Sequence, residues 1–351
     1  MLTKLIRISQ EIALRYIYFC FLLIKVFFSF KKAEKRYIKK QKIEQILSQN
    51  FSGYKLIETQ KVISTPWFNI LKKHKTNTLK NIENNNIIEL QNTYENFISS
   101  ELCIGVEDKV NFKLGIQNAK SSLRFTRGFF NYITSTSVYP IFNLYQPNKN
   151  FLNKINHLEN KLNKLLYNKI KDLNVDKYNT YKLKDIRLPS DYFDHLYFFE
   201  FIDGLIGNKS SKFVEIGGGS GLLSELMQIS GYIKSIHIDI APYLLAQNLF
   251  LNSENSFLLS ERISKFKYIE ADFIINQDSF PEIPEIELIK ILTFLKNSKI
   301  KRIFSNNHNS DNQSQSDFRS ILRTLNYINK IRFPNPIREG YLIEMYEIKN
   351  N

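Results

Sequence analysis

The residues with the most chemical meaning form a run of glycines behind an acid: Val214-Glu215-Ile216-Gly217-Gly218-Gly219-Ser220-Gly221. Glycine stands at every second position, 217, 219 and 221, and the acid lies two residues before the first of them. At the end of a strand, glycine lets the backbone take a positive φ and lets a ligand approach without meeting a Cβ. A helix starting near Leu222 would aim its first N–H groups at the same point, a good place for a nucleoside or the polar end of an amino acid. Asp239 follows 22 residues after Gly217, at the end of the apolar run SIHIDI. Further along, Asp278 and Glu282 follow a second apolar run and His308 follows a third, in FSNNHNSD. Carboxylates and imidazoles are the side chains that most often take a proton from a reacting hydroxyl, and histidine ordinarily titrates nearest neutrality. Each of these residues also fits a structural role. Asp239 can cap a helix ahead of Pro242, Asp278 with Ser279 can do the same, Glu282 can be first-turn charge, and His308 can be an ordinary loop histidine.

Elements that alternate between strand and helix must position these groups. The sequence predicts a helix over YFDHLYFFEFIDGLIG and then strand one at 212–216, a helix at 222–229, strand two at 235–240 and a helix at 243–251. A short strand falls near Phe257, strand four at 272–277, a helix at 285–295, strand five at 301–305 and a helix at 317–325. Two closing strands at 328–333 and 341–348 are joined through PNPIREG. Alternation of this kind is the signature of a parallel α/β sheet, whose ligands bind beyond the carboxyl ends of the strands.

A dinucleotide fingerprint would read GxGxxG, whereas here an acid precedes GGGSG, which favours S-adenosylmethionine over NAD. Taken together, VEIGGGSGLLSELM, IHIDIAPYLLAQNLFL and FIINQDSFPEIP resemble the sugar O-methyltransferases of bacterial surface-polysaccharide clusters, a class I S-adenosylmethionine-dependent family. The resemblance covers roughly residues 190–348, and more faintly TPWFNILKKH and YENFISS upstream. It implies a Rossmann-like methyltransferase sheet with helices on both faces, preceded by a mainly helical N-terminal region. It also implies that Glu215, Gly217, Gly218, Gly219, Gly221 and Asp239 hold the cofactor, Glu215 near its methionine end and Asp239 on its ribose hydroxyls. The expected reaction is transfer of a methyl group to a sugar hydroxyl in a glycan or glycolipid precursor, with Asp278, His308 and Glu282 as candidates for the base. A lipid or other small metabolite as acceptor, and a cofactor-binding scaffold without catalysis, are the alternatives. Some sugar methyltransferases use magnesium, and Asp311 could join Asp278 around such an ion, but no ligand spacing in the sequence supports a divalent metal. After strand four the chain reads QDSFPEI and lacks the (D/N)PP(Y/F/W) of amino-methylating enzymes, so a nucleic-acid substrate is disfavoured.

Composition sets the outer bounds. The 351 residues suffice for two domains or for one with a long extension, and 43% hydrophobic residues lie in the globular range. Asn, Lys and Ile are so abundant that single Asn-rich patches are discounted as compositional bias. Cys20 and Cys103 belong to no Cys/His cluster, which argues against a zinc site and a disulfide framework and agrees with a cytoplasmic setting. The net charge of +15 is lopsided, because residues 1–42 carry eleven Lys and Arg against Glu11 and Glu34. Within this segment, the uncharged stretch from Tyr16 to Ile24 is nine residues, short of the roughly 20 that span a bilayer. Seven Lys and Arg follow between Lys31 and Lys42. The pattern predicts an interfacial helix on the cytoplasmic face of a membrane or, alternatively, a helix packed on the protein itself. The organisation read from the sequence is therefore 1–42 as an apolar and basic helix, 43–187 as a mainly helical region on the acceptor side, and 188–351 as the cofactor-binding catalytic domain. The Leu- and Lys-rich stretch from Phe151 to Leu166 reads as an amphipathic helix with a solvated lysine face.

Overall fold

The computed structural model describes residues 2–31, 37–55, 76–97, 116–134, 178, 180–183, 186–232, 234–251, 255–309 and 317–349. Asp311 and the stretch from Phe151 to Leu166 lie outside them. The chain forms two compact units whose composition does not follow the order of the sequence.

The larger unit comprises residues Lys35–Glu107, Phe198–Asn335 and Gly340–Asn351, and is built on a seven-stranded sheet. Its strands are β3 (Phe213–Ile216), β4 (Ser235–Asp239), β5 (Ser256–Leu259), β6 (Phe273–Gln277), β7 (Arg302–His308), β8 (Tyr327–Pro334) and β9 (Tyr341–Ile348). They lie in the order β5-β4-β3-β6-β7-β9-β8. The first five are parallel, and β9 runs antiparallel between β7 and β8. This order, with its inserted antiparallel last strand, is that of a Rossmann-like methyltransferase sheet. Its switch point lies between β3 and β6, where successive connections leave in opposite directions and a crevice opens.

Both faces of the sheet are covered, and every residue of the central strands β3 and β6 is buried. On one face Val214, Ile216, Ile274 and Ile303 form a core with Leu288, Ile291, Leu292 and Leu295 of a helix at Glu285–Asn297, and with Phe318, Ile321 and Leu322 of a helix at Phe318–Thr324. The helix residues recur at intervals of three and four, so one stripe of each helix is buried. The other face is aromatic. Phe213 stacks on Phe273, which meets Phe304 edge-on, and Phe304 in turn meets Phe201. Phe201 belongs to the helix Tyr192–Ile206, whose residues from Phe198 onward count with the sheet. A helix at Leu222–Ile229 follows β3, and one at Ala241–Phe250 follows β4.

Residues upstream of residue 100 also belong to this unit. Helices at Lys40–Asn50, Thr76–Glu83 and Ile87–Glu95 pack around the Ala241–Phe250 helix. The buried Tyr94 donates its hydroxyl to the Pro242 carbonyl at 2.8 Å, Lys42 Nζ donates to the Leu249 carbonyl at 2.8 Å, and Phe97 meets Phe250 at 5.3 Å. These contacts hold the element that follows Asp239.

The smaller unit comprises residues Met1–Glu34, Asp108–Tyr197 and Pro336–Glu339. Helix α1 (Leu2–Phe28) lies against a helix at Ile116–Thr134, and a two-stranded hairpin, β1 (Thr180–Leu183) and β2 (Ile186–Pro189), bridges back to Lys31. Its core is aromatic, with Phe125 and Phe129 both on Phe193. His195 bonds Asp191 at 3.3 Å. No helix among the described residues is long and apolar enough to cross a membrane.

Candidate functional site

The site is built at the carboxyl ends of β3 and β4. Past Ile216 the chain turns through Gly217, Gly219 and Gly221, all with positive φ (69°, 55° and 83°), and enters the helix at Leu222. A side chain is excluded at Gly217 for a second reason: its Cβ would land on the side chain of Ser279, beyond β6. Ser279 Oγ donates to the Ile216 carbonyl at 3.0 Å, and Asn276 Nδ2 donates to the same carbonyl at 2.9 Å. The ends of β3 and β6, on either side of the switch point, are thus tied together by side chains.

Glu215 lies behind this loop, 3% exposed. Its carboxylate accepts the Ser224 hydroxyl and stands 3.3 Å from His237 Nδ1 on β4. A Cβ on Gly218 would come within 2.5 Å of Glu215 Oε2, so the carboxylate fills the space beneath the loop and braces it. A polar chain continues outward, from His237 Nε2 to Ser235 Oγ at 2.8 Å and from there to Asn255 Oδ1 at 2.7 Å.

Asp239 closes β4. One carboxylate oxygen accepts the Gly219 N–H at 3.2 Å and the Gln247 side-chain amide at 2.8 Å, and the other accepts the Ile240 N–H at 2.8 Å. Gln247, fully buried on the following helix, also donates to the Gly219 carbonyl at 3.2 Å, while its Oε1 has no hydrogen-bond partner among the described residues. The loop, the strand-end acid and this glutamine form one hydrogen-bonded unit. Burial, assisted by the charge of Glu215, pushes the Asp239 carboxyl from 3.8 up to about 7, against the lowering effect of the three donors. Folded and unfolded chains both carry this proton below pH 3.8; between there and about 7 the folded chain keeps a proton that the unfolded chain has released. The contribution of this group to stability is therefore greatest in acid and is lost as pH rises toward 7. Denaturant unfolding from pH 4 to 8 should show wild-type stability falling relative to Asp239→Asn, by about 4 kcal/mol at most. A difference that stays flat with pH would show that the carboxyl is not buried as described.

The proposed proton acceptors are placed differently from one another. Asp278, first residue beyond β6, has φ +67° and donates its N–H to the Asn306 carbonyl of β7 at 3.1 Å. His308 is the last residue of β7, not part of the following loop, because β7 extends to pair with β9 through His308 and Tyr341. Its ring meets Tyr341 edge-on at 5.3 Å, and a Cβ on Gly340 would lie 3.3 Å from Nε2. Asp278 and His308 thus share the carboxyl edge of neighbouring parallel strands. Glu282 is exposed at the end of a short 3₁₀ turn, Phe280–Glu282.

Four asparagines discounted in the sequence lie fully buried near this edge. Asn276 Oδ1 accepts from Asn307 at 2.7 Å and from the Phe280 N–H at 3.2 Å, and Asn335 donates to Asn306 Oδ1 at 3.0 Å. Asn276, which ends the apolar run FIIN inside β6, was the available signal, as was Gln247, a polar side chain in the apolar run APYLLAQNLFL. Among the described residues no group of three or more His, Cys, Asp or Glu is placed to hold a metal ion.

No family model matches the chain, and no curated protein matches it in sequence. Solved structures that resemble it include the ribosomal protein L11 methylase of Lactobacillus delbrueckii subsp. bulgaricus, at 13% identity over 45% of this chain and 80% of that one, with a TM-score of 0.34. A TehB-like S-adenosylmethionine-dependent methyltransferase from Corynebacterium glutamicum matches at 15% identity over 43% and 87%, with a TM-score of 0.34. The pyocyanin biosynthetic protein PhzM matches at 13% identity over 65% and 72%, with a TM-score of 0.38. The fold assignment rests on the strand order itself.

Proposed function

We propose that the protein is an S-adenosylmethionine-dependent O-methyltransferase and that its acceptor is a sugar hydroxyl in a glycan or glycolipid precursor. The observation that carries the cofactor reading is the unit formed by the glycine loop, Asp239 and Gln247 beside the switch point. An ionised carboxylate offers about four acceptor positions, and three are taken by Ile240, Gly219 and Gln247. The remaining position of the Asp239 carboxylate is left for a ligand hydroxyl, such as one of a ribose, and the buried Gln247 amide sets the orientation of the carboxylate from behind. The alternating glycines leave the backbone open to the rest of the ligand.

When bound, the cofactor supplies a methyl group on a sulfonium. Asp239, positioned by Gln247, would hold its ribose, the 217–221 loop would line its amino-acid end, and Glu215 would keep that loop in shape from behind. Asp278 is the first choice to take the proton of the attacking hydroxyl, with His308 second. Glu282, exposed on its own turn, is third. The sugar acceptor is supported by the resemblance of the three motif segments, and the absence of a (D/N)PP(Y/F/W) element supports oxygen over nitrogen as the nucleophile.

Calorimetry should show binding of S-adenosylhomocysteine and none of NAD. Labelled methyl from the cofactor should then appear on lipid-linked or free oligosaccharide acceptors as an alkali-stable ether. Binding of NAD with no binding of S-adenosylhomocysteine would overturn the cofactor assignment. Cofactor binding followed by transfer only to protein, RNA or a phenolic metabolite would overturn the acceptor assignment.

A further inference from the structure

Helix α1 has two apolar faces, and only one is used inside its own unit. Leu22 and Val26, one turn apart, are buried. On the opposite side Ile17, Phe21, Ile24 and Phe28 follow one another at steps of four, three and four, which places them in a single line along the helix. These four are 63%, 64%, 59% and 81% exposed, and Tyr16, on the flank, is 53% exposed. An aromatic or aliphatic side chain exposed to this degree offers about 100 Å² each, so the stripe presents on the order of 500 Å² of apolar surface. A patch of that size equals the largest found on a typical folded monomer, a patch that often serves a function.

Charge decides what covers it. Lys25 is exposed beside the stripe, and no Asp or Glu occurs from Ile12 to Ala33. Immediately along the chain seven Lys and Arg follow between Lys31 and Lys42, with Glu34 the single acid. A second copy of this face would set Lys25 against its own like with no acid between Ile12 and Ala33 to offset it, and about 500 Å² falls short of the roughly 800 Å² per partner of a stable protein interface. A protein partner would need a matched acidic rim. An anionic lipid surface satisfies both requirements at once, because the aromatics and aliphatics enter the headgroup boundary while Lys25 remains among phosphates and carboxylates.

We infer that the Ile17–Phe21–Ile24–Phe28 face of α1, with Lys25 beside it, docks the protein in the interface of an anionic bilayer, the helix lying along the surface. The inference does not depend on the methyltransferase reading. It does place an acceptor carried on a membrane lipid within the reach of a protein held at that surface.

The test is cosedimentation of the full-length protein with vesicles of pure phosphatidylcholine and with vesicles containing phosphatidylserine, at low salt and near 1 M salt, where the screening length shortens to about 3 Å. The wild type should bind the anionic vesicles at low salt at least about tenfold more tightly than the neutral ones, and high salt should narrow that gap. The double variant Phe21→Ser/Phe28→Ser should lose at least about tenfold in binding while circular dichroism and thermal unfolding stay as in the wild type, since both side chains face solvent. Lys25→Glu should weaken binding to anionic vesicles alone. Equal partition onto neutral vesicles would overturn the choice of an anionic partner. Undiminished binding by the double variant would overturn the face. A dimer that the double variant dissolves, with no vesicle binding by the wild type, would assign the stripe to self-association and overturn the lipid partner.

Discussion

Valine at position 219 is expected to lower affinity for S-adenosylhomocysteine by about 100-fold or more while leaving the fold largely in place. Gly219 has φ +55°, a region in which a β-branched side chain is strained by about 2 kcal/mol. The loop can relieve that strain only by rotating the peptides on either side of Gly219, one of which donates to Asp239 while the other accepts from Gln247. Asp239 and the Gln247 that positions it would then move, and the new side chain would stand where the ligand passes. The sheet itself does not need the loop, because β3 is held by β4 and β6 along its length. Thermal unfolding should therefore drop by a few degrees and remain cooperative. Gly204 serves as the control: it is exposed in a helix, has no positive φ, and a Cβ there meets nothing within 4 Å. Gly204→Ala should bind as the wild type and gain about 0.5–1 kcal/mol. Calorimetry and unfolding on the three proteins decide the matter, and wild-type affinity in a folded Gly219→Val protein would remove the glycine loop from the binding site.

How much of this was readable in advance depended on how local the determining signal is. The helix after the glycine loop begins at Leu222 and ends at Ile229, as its apolar spacing and the glycines before it predict, and the strands around it differ from expectation by a residue or so. Strand ends are less local. β7 runs on to His308 because β9, more than thirty residues later, supplies a hydrogen-bonding partner along its whole length. The part that Lys35–Glu107 plays in the sheet unit had no local trace either. Tyr94 reaches Pro242 across 148 residues, and nothing in the periodicity of its own helix says what its buried face meets.

The asparagines show a different failure. In a chain this rich in Asn, frequency alone favours reading each one as drift, yet Asn276, Asn306, Asn307 and Asn335 are fully buried at the carboxyl edge of the sheet. The distinction lay in context, since a polar group inside a central strand must find a partner or cost stability, whereas one in a loop need not. Glu215 is the converse case. Its place before the glycines marks it, through the family resemblance, as a residue near the methionine end of a cofactor, but spacing does not say on which side of the loop its carboxylate lies. The Ser224 hydroxyl and the His237 ring, both from neighbouring elements, turn it inward.

Turnover should fall by about 10²–10⁴ in Asp278→Asn and in Asp278→Gly, with cofactor affinity within about threefold of the wild type and little change in stability. The reason for expecting separation lies in the backbone. Asp278 has φ +67°, a conformation that costs an L-residue about 1–2 kcal/mol and that asparagine tolerates as well as aspartate does. Glycine there relieves the strain and loses about as much again in chain entropy, so its net effect should lie within about 1 kcal/mol of zero. Asn85, Lys299 and Asn326 also have positive φ, so the expectation for Asp278 rests on where the residue stands. The position agrees: the residue stands just beyond β6, beside the crevice, its N–H fixed by the Asn306 carbonyl. Single-turnover rates with a saturating acceptor, unfolding curves and calorimetry on both variants separate the roles. A parallel loss of stability and turnover would make Asp278 a structural residue. Full turnover in Asp278→Asn would transfer the proton acceptor to His308, on the adjacent strand end, where His308→Ala should then show the loss instead.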